Sequence, residues 1–221
     1  WVRPKQECPM RSSVDQPSSS RSGVQFQDQQ LHAAVGPYGF TQVYEHQVDE
    51  FHQLADELIE GEVAGPEALW QVQSWTGRAL QLRRRNGKAN ALLASIPLTE
   101  QGIDALLAGQ FGFANAKREW VCGPSENAHA LLSWGMAGRS PLDQAASLRG
   151  LLAVWFGVYC DIRVYARARS AQGEKLMSRL GFVPLGRPDG ATLLFGSTGF
   201  PHRIAEKLSV RSNPTTEEHY A

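Results

Sequence analysis

The chain has 221 residues, of which 42% are hydrophobic and 20% charged, with 22 basic against 22 acidic side chains and a formal net charge of zero. One ordinary domain with tails accounts for that length and composition, and wholesale disorder does not. The basic excess of a dedicated duplex-binding domain is missing, so no nucleic-acid partner is expected, and no apolar run approaches the ~20 residues that cross a bilayer.

Cys8, Cys122 and Cys160 are scattered and odd in number, with no CxxC pair and no zinc-ligand spacing. That predicts ordinary thiols, no metal site and a cytoplasmic protein. The N-terminus also lacks the apolar core of a secretory leader.

Residues 1–30 are rich in Ser and Gln, carry Pro4, Pro9 and Pro17, and show no apolar periodicity. They are expected to form a disordered tail, and residues 1–9, ahead of Met10, are set outside the fold argument. Order is expected from Gly39, with a folded domain over 39–208 and a second tail over 209–221.

Phe40 to His46 reads as a short strand. Val48, Phe51, Leu54, Ala55, Leu58 and Ile59 share one face of a helix that stops at Gly61. Gly65-Pro66-Glu67 opens a second helix, running to about Trp75. Ala79 to Arg85 and Lys88 to Ile96 flank Asn86-Gly87, a pair suited to the positive φ angles of a type I′ turn, so they predict a β-hairpin ended by Pro97. Thr99 caps a helix over 101–108, and Lys117 to Cys122 reads as extended.

His129 to Ala137 has the apolar content of a buried strand, and Gly138-Arg139 is the turn after it. Ser140 is the cap, Pro141 the first residue and Asp143 the acid of the next helix, which continues through Phe156. Asp161 to Ala166 is a strand, Ser170 to Leu180 a helix closed by Gly181, and Phe182 to Leu185 and Ala191 to Gly196 are strands joined through Pro188-Asp189-Gly190. This order makes a mixed α/β (α+β) fold around one sheet. A right-handed crossover makes the strands at 129–137 and 161–166 parallel.

Three features carry a family likeness: the run Ser170 to Leu185 with its Leu180-Gly181-Phe182 turn, the strand, turn and helix over 129–156, and the hairpin followed by Pro97-Leu98-Thr99. In these the sequence resembles the GNAT superfamily of N-acetyltransferases. The likeness covers element order over residues 40–197 and is specific around 161–185.

The resemblance implies a single mixed central sheet flanked by helices, the GNAT-like acyl-CoA N-acyltransferase fold. It also implies transfer of an acetyl or other acyl group from acyl-CoA directly to an amine, carried by a small molecule or a peptide. The cofactor, acetyl-CoA or another acyl-CoA, would lie between the two parallel strands. Its pantetheine arm would follow Ser133, Trp134, Gly135, Met136 and Ala137, and its pyrophosphate would meet Gly138, Arg139 and Ser140. Ser170 and Gly173 complete the implied cofactor-binding set. Such a site needs backbone N–H donors at a helix start for the phosphates, a donor for the thioester oxygen and a route for the amine proton.

The sequence departs from the family at several of these places. With Arg139 in the first place of the phosphate loop, Leu142 and Gln144 stand where small residues are usual, and Asp143 adds a negative charge to the first helical turn. Ser170 stands for the family's frequent Asn, and Met177, which has no proton to give, for its frequent Tyr. No catalytic residue is assigned. These departures leave open a second reading, a catalytically degenerate GNAT-like domain that binds a ligand or a protein. A homodimer through a free sheet edge is a further expectation.

Other residues are weighed by chemistry. His129, Glu119 and Glu126 are candidate proton acceptors, and Tyr165 and Arg167 end the second parallel strand, where ligand crevices open. Arg83, Arg84, Arg85 and Lys88 crowd the hairpin tip, although three successive residues of a strand cannot face one side. Trp70, Trp75, Trp134 and Trp155 are expected in the core or lining a cleft.

Overall fold

The computed structural model describes residues 22–197, with side chains from residue 29 onward. Seven strands form one mixed sheet: β1 (Phe40–Gln42), β2 (Leu80–Arg85), β3 (Lys88–Leu98), β4 (Ala130–Gly138), β5 (Arg163–Ala168), β6 (Phe182–Gly186) and β7 (Leu193–Ser197). Their spatial order is β1-β2-β3-β4-β5-β7-β6. Only β4 and β5 run parallel; the other neighbours are antiparallel.

Helices cover both faces, as the apolar stripes require. On one face α2 (Val48–Leu58), α3 (Pro66–Thr76) and α4 (Glu100–Leu107) pack through Phe51, Leu54, Leu69, Val72 and Leu106 against Leu92, Ile96 and Leu132 of the sheet. On the other, α1 (Ser22–Val35), α5 (Pro141–Gly157) and α6 (Ala171–Arg179) pack through Leu31, Val35, Leu151, Trp155 and Met177 against Leu93, Leu131 and Val164.

The hairpin turn is of the expected kind, with Asn86 at φ 54° and Gly87 at φ 76°. Thr99, Ser140 and Ser170 each accept a hydrogen bond from the backbone N–H three residues on and so cap α4, α5 and α6.

Several expectations are corrected. Residues 22–30, read as tail, belong to α1; its buried anchors Leu31 and Val35 lie at the end of a Gln-rich stretch whose composition hides them. The rest of that expected tail, the tail over 209–221 and the domain end at 208 lie outside the described residues. Pro97 does not end β3, which runs on to Leu98. The Pro97 carbonyl accepts from the Cys122 N–H at 2.9 Å on the side away from β4, so its nitrogen, which points the same way, takes no donor from the β4 ladder. The stretch read as extended at 117–122 contains a 3-10 turn over Arg118–Trp120. Cys160 is disulfide-bonded rather than an ordinary thiol, which removes the argument from unpaired cysteines to a reducing compartment. Among the described residues, no helix is long and apolar enough to cross a membrane.

Candidate functional site

β4 and β5 pair only from Ala130↔Arg163 to Ser133↔Ala166. Beyond that point β4 runs on to Gly138, while Arg167 and Ala168 of β5 pair with β7. The sheet therefore splays from Trp134 onward, and among the described residues the stretch Trp134 to Gly138 has no strand partner on the β5 side. The β3–β4 register skips at the mouth of the splay, pairing Ala94 with Gly135 and Ser95 with Ser133. Trp134 is the extra residue of this β-bulge, a device that bends a strand and re-aims its side chains. Beside it the buried Ser95 hydroxyl has no hydrogen-bond partner among the described residues.

The C-terminal end of α2 and the loop after it cover one face of the splay. A Cβ on Gly135 would lie 3.3 Å from Ile59 Cδ1. Arg169, just past β5, donates from Nη1 to the Glu60 carbonyl at 3.2 Å and the Glu62 carbonyl at 2.7 Å. Its guanidinium also lies over the Trp134 ring, 5.8 Å from the centroid, while Phe113 meets that indole edge-on at 4.7 Å. No motif marked Ile59, Ser95 or Arg169, because each acts through contacts between segments far apart in sequence.

The structure brings Ser133, Trp134, Gly135, Met136, Ala137, Gly138, Arg139 and Ser140 together along this strand and its turn. Ser133 and Trp134 are buried, and Gly135, Met136 and Ala137 are half-buried. Arg139 pairs with Glu57 of α2 and donates from Nε to the Ala89 carbonyl at 3.2 Å. That ion pair is open to water on both sides, so it holds Arg139 weakly. Ser170 and Gly173 form the first turn of α6, where Gly173 N–H donates to Ser170 Oγ at 3.1 Å.

The first turn of α5 is closed on itself. Asp143 is only 1% exposed. Its carboxylate accepts from the Ser140 hydroxyl at 2.6 Å and pairs with Arg83 of β2. Its own N–H donates to Ser140 Oγ at 3.2 Å, and the Gln144 N–H to the Ser140 carbonyl at 2.8 Å. Burial pushes the Asp143 carboxyl up, but the bonds from Ser140 and Arg83 and the nearby charge of Arg85 outweigh it and hold the group below the ordinary carboxylate range. A Cβ on Gly138 would fall 2.5 Å from both the Asp143 carbonyl carbon and the Gln144 nitrogen, so α5 begins directly against the end of β4.

A pyrophosphate therefore does not fit this turn as arranged. Proline supplies no donor at the first helical position, the Asp143 N–H is taken, and a buried carboxylate stands where the anion would sit. Leu142 and Gln144, expected as the obstruction, project into solvent instead. The obstruction is Asp143, between them.

The other candidates lie elsewhere. His129 is exposed at the opposite end of β4, with Nδ1 3.4 Å from the Glu100 carboxylate. Glu119 is exposed. The exposed Glu126 carboxylate accepts from the Gly123 N–H at 2.6 Å and from Arg118, and these bonds lower its pKa. Tyr165 is buried in the core beneath α2 and α3. Arg167, with a side chain 8% exposed, ties two loops together by donating to the Phe111 carbonyl at 2.7 Å and lying 3.5 Å from Asp189. Desolvation lowers the Arg167 pKa, and its Nε has no partner among the described residues.

The hairpin arginines part as strand alternation requires, Arg83 to Asp143 on the α5 side and Arg84 to Glu50 on α2. Arg85 and Lys88 are exposed. Trp155 and Met177 are buried under α5 and α6, while Trp70 and Trp75 are half-buried beside a shallow groove on α3 with Glu67, Gln71 and Ser74. Burial raises the pKa of the free Cys122 thiol. Among the described residues no cluster of three His, Cys, Asp or Glu could hold a metal ion.

This architecture is that of known structures. The GNAT-like decarboxylase GphF, in complex with isobutyryl-CoA, superposes with a TM-score of 0.50 at 15% identity, over 72% of this chain and 98% of that one. An acetyltransferase from Corynebacterium glutamicum, related to histone acetyltransferases, aligns with a TM-score of 0.43 at 17% identity, over 71% and 93%. An N-acetyltransferase from Staphylococcus aureus aligns with a TM-score of 0.39 at 9% identity, over 72% and 99%. No family model matches the sequence. No curated protein matches it either. The chain has a GNAT-like fold.

Proposed function

We propose that this chain is a catalytically degenerate GNAT-fold domain that serves as a ligand-binding or protein-interaction module. The observation that carries the reading is the buried Asp143 carboxylate at the start of α5, where an acyl-CoA would need open N–H groups and no negative charge. Met177, in the core where the resembling family has a tyrosine, supports it, since a thioether gives no proton to a departing thiolate. The half-exposed indoles of Trp70 and Trp75 give such a module one aromatic surface for a protein partner.

A second reading has its own support. The splay of β4 from β5, the bulge at Trp134 and the unpartnered Ser95 hydroxyl leave a strand edge and a buried polar atom where an acyl arm would lie. On that reading the chain is an acyltransferase that moves an acetyl or other acyl group from acyl-CoA to the amine of a small molecule or peptide, and the start of α5 rearranges to admit the cofactor.

Thermal unfolding with and without millimolar acetyl-CoA, isobutyryl-CoA and longer acyl-CoAs separates the two. A ligand that binds only the native state adds about 2.7 kcal/mol at 100 times its dissociation constant, a shift of several degrees at this length. The module reading expects no shift with any of them. A clear shift, followed by amine-dependent release of free coenzyme A, establishes the acyltransferase instead.

A further inference from the structure

We propose that Asp143 is an internal counter-anion that keeps the pyrophosphate of acyl-CoA off α5, and that Arg83 is the latent phosphate ligand it neutralises. This rests on the closed-turn reading above and goes further, because it assigns the closure to one carboxylate and names the cation beneath it.

The start of α5 has the polarity of an anion site, with the positive end of a 17-residue helix facing the end of β4. Arg83 reaches it from β2, with a side chain 17% exposed. Arg85 adds charge that is felt at the same carboxylate. A guanidinium of this kind holds carboxylate and phosphate with the same geometry. In this chain the anion is supplied by the protein. Asp143 meets Arg83 and the Ser140 hydroxyl, and it is buried although Leu142 and Gln144 on either side are exposed. The turn and the cofactor that the fold implies therefore compete for one cation and one helix end, and the intramolecular carboxylate has no association entropy to overcome.

Asp143 differs in this from the rest of the turn. Arg139 is held by an exposed pair with Glu57 and one bond to the Ala89 carbonyl, and neither reaches the start of α5. Leu142 and Gln144 already point outward. Changing these residues leaves the internal anion in place, whereas changing Asp143 removes it and releases Arg83.

The test is calorimetric titration of inorganic pyrophosphate and of acetyl-CoA into the whole chain, the Asp143→Asn variant and the Arg83→Met/Asp143→Asn double variant, each checked for folding by circular dichroism. Asn is nearly the shape of Asp and keeps an oxygen for the Ser140 hydroxyl. The expected result is no binding by the parent, a gain of about tenfold or more in pyrophosphate affinity for Asp143→Asn, and loss of that gain in the double variant. Asp143→Ser replaces Asp143→Asn, with and without Arg83→Met, if the amide variant does not fold. A folded Asp143 variant that binds pyrophosphate no better than the parent overturns the inference and leaves the closed-turn reading standing. A gain that survives loss of Arg83 overturns the role of Arg83. Tight acetyl-CoA binding by the parent, displaced by pyrophosphate, overturns both.

Discussion

Asp143, in the first turn of α5, and Arg83, on β2, are 60 residues apart in sequence and form an ion pair between that helix and the sheet. The carboxylate is 1% exposed and the guanidinium side chain 17%. The pair therefore does two things: it fastens the helix to the hairpin, and it fills the helix start with negative charge.

Removing one partner should cost more than a surface pair would. Arg83→Met leaves a buried carboxylate with the Ser140 hydroxyl and the nearby charge of Arg85 to answer it. Breaking a buried pair in this way costs about 3 kcal/mol, less to the extent that water reaches the vacated side. Urea unfolding of the parent and of Arg83→Met measures it. A loss within the error of a surface substitution means that water already screens the pair.

The sign of the acid dependence follows from the carboxyl. Its folded pKa is depressed, so the stability it contributes is fully present above its unfolded value of ~3.9 and is lost as pH falls through the lower folded value. The parent should lose stability from about pH 4 downward more steeply than Asp143→Asn, which cannot titrate at that position. Equal slopes for the two in urea unfolding between pH 2 and 5 show that Asp143 is not held in its charged form.

Gly138 is a steric prediction of another kind. Its requirement is space, since an added methyl meets the backbone of Asp143 and Gln144 at 2.5 Å. Backbone cannot step aside as a flexible side chain can, so Gly138→Ala should displace the start of α5 and cost about 1–3 kcal/mol. The control is Gly190→Ala: the turn there also needs glycine, for its φ of 75°, but nothing lies within 4 Å of an added methyl. Thermal unfolding of both separates crowding from backbone strain, and hydrogen exchange over residues 140–147 should rise only for Gly138→Ala.

Most of the fold was legible because it is written in local patterns: the apolar face of α2, the Asn86-Gly87 turn, and the serine and threonine caps. The parallel run of β4 and β5 followed from the crossover through α5. What stayed hidden depends on contacts between distant segments. The anchors of α1 are two apolar residues in a polar stretch, and their worth appears only where they meet α5. Asp143 could be read as a charge hostile to phosphate. Its partner could not be read, because Arg83 lies in a triplet of arginines whose faces are decided by the hairpin register. The same limit applies to Arg169, whose three contacts come from the loop after α2 and from Trp134.

Arg169 should act as a strap over the splay. Replacing it with Ala removes two charge-assisted bonds to the carbonyls of Glu60 and Glu62 and the stacking on Trp134. The residue is exposed, so global stability should fall by only about 1 kcal/mol. Local opening should change more, with amide exchange over residues 60–63 rising while the sheet stays protected. Unchanged exchange there means that Ile59 against Gly135 holds the loop without the strap.

The last prediction concerns whether the turn at α5 is one network or a set of separate bonds. Ser170→Ala removes one cap from α6, where Ser170 Oγ accepts from Gly173 N–H, and should cost about 1 kcal/mol. Ser140→Ala removes a cap and also the hydroxyl that donates to the buried Asp143 carboxylate, so it should cost about 2 kcal/mol. A double-mutant cycle with Asp143→Asn makes the comparison sharp. If the residues act together, the double variant loses less than the sum of the singles, with a coupling of about 1 kcal/mol, because the second change removes a partner already gone. Additive losses mean that Ser140 is only a helix cap, and that the arginines of the hairpin keep the Asp143 carboxylate charged without it.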